Sequence, residues 1–222
     1  MLLVRPSHDG TRTPASRWGL AFVLTPSLLG CERAPASEIC PRIDPGDLVI
    51  SELRDDQEGN DVVGEYIELH NASGRALDLQ GVRIRQIARN GEQHELLIRE
   101  SLDVAAGGYV VIGPAPKNWV DYALSEDVEQ ASPLIQYGAG FYEVESCDEL
   151  IDEVEVGVDG LPSIGTLACG DGQTPPDAAA NDHAIDLGDA GCWCVDAEPA
   201  EPSFQYPGIG LPGTPGSANR CP

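Results

Sequence analysis

Two stretches do most to constrain the fold. Gly64–Asn71 reads GEYIELHN and Gly81–Arg89 reads GVRIRQIAR. In the first, Ile67 and Leu69 alternate with Glu68 and His70; in the second, Val82 and Ile84 alternate with Arg83 and Arg85. A period of two sends one set of side chains into a core and the other away from it, as a half-buried strand requires. DLVISEL (Asp47–Leu53), HELLI (His94–Ile98), GYVVIG (Gly108–Gly113) and DELIDEVEVGV (Asp148–Val158) add short apolar or alternating runs, separated by turns rich in Gly, Asn and Asp. One short helix is expected, over Trp119–Glu129. Long amphipathic helices are missing from the pattern, which disfavours a parallel sheet with helical crossovers. The expected fold is all-β, a sandwich of two sheets. No regular structure is expected over Cys169–Cys194 or in the tail from Glu201, where apolar residues are sparse.

The beginning of the chain has a different character. Arg5, Arg12 and Arg17 precede Trp18–Gly30, an uncharged run of 13 residues, and Cys31 follows directly. A basic segment, a short apolar run and a small residue make an export signal, and the run is short of the ~20 residues that span a bilayer. Leu28-Leu29-Gly30-Cys31 resembles the bacterial lipobox, in which the signal is cleaved before a cysteine that is then acylated. A buried strand ending in an ordinary cysteine, or an unmodified secretory signal, are the other readings. Acylation at Cys31 would hold the domain at a membrane, and Glu32 in the following position favours the outer one. Residues 1–30 are thus read as signal peptide, 31–46 as acylated Cys and flexible tether, and 47–222 as the domain.

Removing residues 1–30 leaves 192 residues with 10 basic and 36 acidic side chains, a formal charge of −26. That is enough chain for one domain with a core. Its field repels nucleic acid and anionic lipid and attracts cations or basic partners; direct nucleic acid binding is not expected. Six cysteines remain after Cys31: Cys40, Cys147, Cys169, Cys192, Cys194 and Cys221. An even number in an exported chain points to three disulfides. Zinc is disfavoured, since CysTrpCys lacks the spacing of a zinc knuckle.

GDLVISEL followed by GEYIELHNASGRALDLQGVRI, then LDVAAGGYVVIG, then GTPGSAN (Gly213–Asn219) together resemble the lamin tail domain family in its bacterial exported form. ELIDEVEV looks like that family's Asp-x-Val strand, and NDHAIDLGDAGCWC resembles its Asn-Asp…Trp-Cys segment. The resemblance covers residues 47–219 and implies an immunoglobulin-like β-sandwich, here with irregular disulfide-stapled insertions near 114–146 and 168–190. Ile67, Leu69, Leu77, Leu79, Val82 and Ile84 would fill the core. Asn71 would shape a turn, Gly81 would take positive φ, and Asn219 would cap the turn at Pro215-Gly216. Spacing suggests a Cys40–Cys221 bridge clamping the two ends of the domain. Cys192 and Cys194 are too close to pair with each other, so each would reach Cys147 or Cys169.

Catalytic chemistry has little footing. Glu68 and His70 share a strand face, yet His70 reads as a surface residue. His94 and His183 stand alone, and Ser51 and Ser163 lie in no nucleophile elbow. No phosphate loop and no HExxH occurs. Asp55, Asp56, Glu58, Asn60 and Asp61 offer a loose calcium site, as do Asp186 and Asp189, but neither set has the offsets of a calcium-binding loop. No cofactor is expected apart from a possible Ca²⁺. The expected function is a non-catalytic, lipid-anchored envelope module, binding or structural, with an envelope or extracellular protein or glycan as partner. The alternatives are a component of an exported hydrolase or nuclease system, and a calcium-dependent adhesion module.

Overall fold

Strand β1 (Leu48–Arg54) is buried along its whole length, and the rest of the fold is arranged around it. The computed structural model describes residues 39–55, 64–114, 120–125, 133–184, 191–198, 205–206, 209–210 and 212–221. Signal and tether residues 1–38, Cys31 included, and the calcium candidates Asp56, Glu58, Asn60, Asp61, Asp186 and Asp189 lie outside them.

Two sheets form the body. The first contains β1, β2 (Tyr66–Asn71), β7 (Tyr109–Gly113), β8 (Tyr122–Ala123), β11 (Thr166–Cys169) and β13 (Trp193–Asp196), in the order β13-β11-β1-β2-β7-β8. The second contains β4 (Val82–Ala88), β5 (Gln93–Leu97), β9 (Gly140–Ser146), β10 (Glu149–Val156) and β12 (His183–Ala184), in the order β12-β10-β9-β4-β5. Pairing is antiparallel except for β7 with β8 and β10 with β12. Two small pairs complete the structure: β3 (Leu77–Asp78) with β6 (Asp103–Val104), and β14 (Gln205–Tyr206) with β15 (Ile209–Gly210). Among the described residues there is no helix. The fold is an all-β, immunoglobulin-like sandwich.

Alternation explains the core. Ile67 and Leu69 from one sheet meet Val82 and Ile84 from the other, with Leu77 and Leu79 beside them, in one buried cluster. Asn71 closes β2: its Nδ2 donates to the carbonyls of Arg75, Val104 and Ala105 at 2.8, 3.1 and 2.9 Å, so it ties three backbone acceptors together. Asn71→Ala leaves those carbonyls short of a donor and is expected to cost about 2 kcal/mol, read from urea unfolding midpoints.

Several expectations are corrected. Residues 120–125, inside the expected helix, carry β8 instead. Asp121 Oδ2 accepts the Val111 amide at 2.8 Å and Tyr122 Oη accepts the Arg99 amide at 3.0 Å, which fixes an extended chain; Trp119 and residues 126–129 lie outside the description. The stretch expected to be irregular supplies β13, which completes a sheet edge with its Trp193 buried. The packed domain begins before residue 47, since Ile43 is in the core and Cys40 is bridged.

The bridge expected between Cys40 and Cys221 does not form. The pairs are Cys40–Cys147, Cys169–Cys192 and Cys194–Cys221. Residues 39–41 cross the start of β4, where Ser146, opposite Val82, donates to the Pro41 carbonyl at 2.7 Å. Cys147, next in the chain, is therefore at hand for Cys40. Cys221 instead runs over β11, its amide donating to the Gly170 carbonyl at 3.2 Å and its Sγ lying against the Ala168 carbonyl, and Ala168 is the ladder partner of Cys194.

Candidate functional site

The most unusual chemistry lies on the face of the first sheet that points away from the core. The β1–β2 register shifts between Ile50 and Glu52, so that Ser51 is the extra residue and Glu52 stands directly opposite Glu68. A bulge re-aims side chains in this way, and like charges placed opposite each other are unfavourable. Both carboxylates are buried, together with Tyr66, which precedes Glu68 on the same face.

The cover comes from the far end of the chain. Glu52 Oε2 accepts the Tyr66 hydroxyl at 2.6 Å, and Oε1 accepts the Thr214 amide at 3.0 Å and lies 2.7 Å from Thr214 Oγ1. Glu68 accepts the Ser51 hydroxyl at 2.7 Å and the Gly216 amide at 2.6 Å. Asn219 Nδ2 donates to the carbonyls of Ser51 and Cys169 at 2.9 and 2.7 Å, so it joins β1 to β11, and its Oδ1 lies 2.7 Å from Thr214 Oγ1 across its own turn. Arg220 Nε pairs with Asp196 Oδ2 at 2.8 Å, and Cys221 is bonded to Cys194. Residues 212–221 are thus a strap locked onto the sheet.

Burial raises both acids. It pushes Glu52 up to about 7, aided by the nearby negative charge of Asp196 and opposed by the hydrogen bonds from Tyr66 and Thr214. Burial and then the charge of Glu52 raise Glu68. His70, expected on the surface, is 4% exposed and stacks near Tyr109 with ring centroids 4.5 Å apart. Burial lowers its basicity, which favours the neutral ring. The carboxylates and histidine therefore do share a face, and the strap lies over the two carboxylates. The two carboxylates spend their hydrogen bonds on the fold, while His70 Nδ1 is buried without a partner.

A second buried acid sits on the core side of β1. β11 pairs with β1 only at Glu52 and Leu53, and upstream of that ladder the backbone is served by side chains. Asp152 Oδ2 accepts the Ile50 amide at 2.8 Å, and Asn181 Nδ2 donates to the Ile50 carbonyl at 3.0 Å and to Asp152 Oδ2 at 2.8 Å. The Asn181 carbonyl accepts the Trp193 indole N–H at 2.9 Å. This gives the Asp-x-Val and Asn-Asp…Trp-Cys patterns a structural role. Asp152 also borders a shallow cavity of about 350 Å³ lined by Gly46, Glu153 and Asp182 among others. Among the described residues no three His, Cys, Asp or Glu side chains are grouped to hold a metal; Asp55, the described calcium candidate, lies beside Gly138.

Asp152 Oδ1 and Asn181 Oδ1 are buried acceptors without a hydrogen-bond partner. A proton on Asp152 would give this acid–amide pair the donor it lacks. Burial pushes Asp152 up to about 7 from 3.8. A carboxyl raised on folding stabilises fully below its unfolded value and loses that stabilisation as pH rises through the folded value. Between about pH 4 and pH 7 this group is expected to withdraw on the order of 4 kcal/mol. Asp152→Asn, whose amide keeps its hydrogens at any pH, should flatten the slope between about pH 4 and pH 7 in denaturant titrations.

Glu65 and Gln86 dock the insertion that follows β8. Glu65 Oε2 accepts the amides of Leu134 and Ile135 at 2.6 and 2.8 Å. Gln86 donates to the Leu134 carbonyl and accepts the Gln136 amide, both at 2.8 Å. Glu52, Asp152, Asn181 and Thr214 lie in the quoted motifs, but the sequence assigns them no role, and Gln86 reads as one polar residue among many.

The family model of the Lamin Tail Domain matches residues 41–144. Residues 41–144 carry the lamin tail domain pattern. The matched stretch ends within β9, while β10, β11 and β13, which complete the two sheets, follow it. The sandwich is therefore finished by residues beyond the match, and the acids on its outer face are covered by the strap. A search of curated proteins gave no match. Likeness to this family suggests a structural or binding module.

Proposed function

We propose that the protein is an exported, non-catalytic module, held at the bacterial cell envelope by acyl chains on Cys31, where it binds an envelope or extracellular protein or glycan. One observation carries the reading. The three bridges use all six cysteines that follow Cys31. Disulfides persist in oxidising compartments, so the domain suits the outside of the cytoplasm. Cys31 is then the odd cysteine, standing directly behind an apolar run with the pattern of a cleaved signal. The covered carboxylates favour a binding role over a hydrolytic one, because a substrate would have to displace the strap to reach them. The strongly acidic composition supports a partner that is basic or neutral rather than a nucleic acid.

The test is fractionation of the native host expressing the chain or its Cys31→Ala variant. The wild type is expected with membranes, and the variant in the soluble exported fraction or retained as precursor. Equal membrane association of the two would count against the anchor.

A further inference from the structure

We propose that residues 212–221 form a proton-dependent latch: the folded domain carries a proton on Glu52 Oε1, and its loss loosens the strap from the sheet. The hydrogens can be counted. Asn219 Oδ1 lies 2.7 Å from Thr214 Oγ1, which lies 2.7 Å from Glu52 Oε1. Each of these oxygen–oxygen contacts needs a hydrogen between its atoms. Asn219 supplies none: its Nδ2 already serves the Ser51 and Cys169 carbonyls, and turning the amide round would set its oxygen against both. The Thr214 hydroxyl brings one hydrogen for two contacts. The other comes from Glu52, whose protonated Oε1 donates to Thr214 Oγ1 while still accepting the Thr214 amide at 3.0 Å. A proton on Oε2 would not serve, because that oxygen faces the Tyr66 hydroxyl at 2.6 Å.

The charged and titratable groups around Glu52 favour this neutral acid. β2 presents Glu68 and Tyr66, β7 presents Tyr109 and β13 presents Asp196. The strap brings Arg220, which is drawn to Asp196. Burial pushes Glu52 up to about 7, so the latch is closed in mild acid. When the proton leaves, Thr214 can satisfy Glu52 or Asn219 but not both, and the charge opposite Glu68 grows. The Cys194–Cys221 bridge keeps the end of the strap attached, so opening is local and reversible.

The test uses the disulfide-intact chain from residue 32 onward with carbon-13 in its glutamate side chains. The Glu52 carboxyl is followed by NMR from about pH 5 to pH 9, assigned through bonds from its own backbone, alongside amide exchange at Thr214 and Gly216. The expected result is a carboxylic-acid shift at about pH 6, a midpoint close to 7, and strap protection that falls about tenfold with the same midpoint after correction for intrinsic exchange. Protection at Ile67 and Val144 should hold. A Glu52 carboxylate already ionised at about pH 6 overturns the proposal. So does strap protection that does not follow its titration.

Discussion

Replacing Cys40 and Cys147 together with alanine is expected to destabilise the domain by about 4–5 kcal/mol, the largest loss from a single contact in this fold. The bridge spans 107 residues of sequence, and closing a loop of roughly that length removes about this much free energy from the unfolded chain. For a domain of this size the loss corresponds to a Tm lower by roughly 10–15 °C in calorimetry. The native state also loses a constraint. Cys147 and Asp148 form the turn between β9 and β10 with φ of 47° and 68°. Left-handed backbone is costly for residues other than glycine, and the bridge helps to hold it. A Tm lowered by only a degree or two would mean that residues 39–41 are held by packing rather than by the disulfide.

Gly81→Ala is expected to cost about 4 kcal/mol. Gly81 has φ of 97°, and a Cβ built there would stand 2.1 Å from the Ile39 carbonyl oxygen. Alanine therefore meets both an unfavourable backbone conformation and a backbone atom that must move. Residues 39–41 would have to lift from the start of β4, which strains the Cys40–Cys147 bridge. The two changes should couple. In the bridge-free background the N-terminal segment can move away, and Gly81→Ala should cost less than half as much. Urea unfolding of the four members of the cycle measures that difference. Full additivity would place the penalty in the backbone of Gly81 alone.

Local pattern carried the strands and the core. The alternation in GEYIELHN and GVRIRQIAR assigns Ile67, Leu69, Val82 and Ile84 to the interior, and the structure puts them there. The same alternation puts Tyr66, Glu68 and His70 on the opposite face, which a short window reads as solvent. That face is buried because residues from the other end of the chain lie across it; Gly216 Nα–H reaches Glu68 over 148 positions. No local period encodes such a cover. Pro215, Gly216 and Ser217 signal a turn, but not where the turn is placed. Cys192 does reach Cys169, but the Cys40–Cys221 pairing fails for the same reason. Position in the chain brings the two ends together, yet Cys40 is delivered to the β9–β10 turn by the path of residues 39–41 over Gly81. The Asp-x-Val and Asn-Asp patterns were visible, and their meaning became clear only when Asp152 and Asn181 met at the Ile50 backbone.

The most direct test of the account is the intact mass of the protein extracted from membranes of its native host, before and after reduction. The expected species begins at Cys31 and carries acyl groups. On reduction it gains two hydrogens for each of three bridges. A chain beginning at Met1, without acyl groups and unchanged in mass on reduction, would contradict both the export and the anchor.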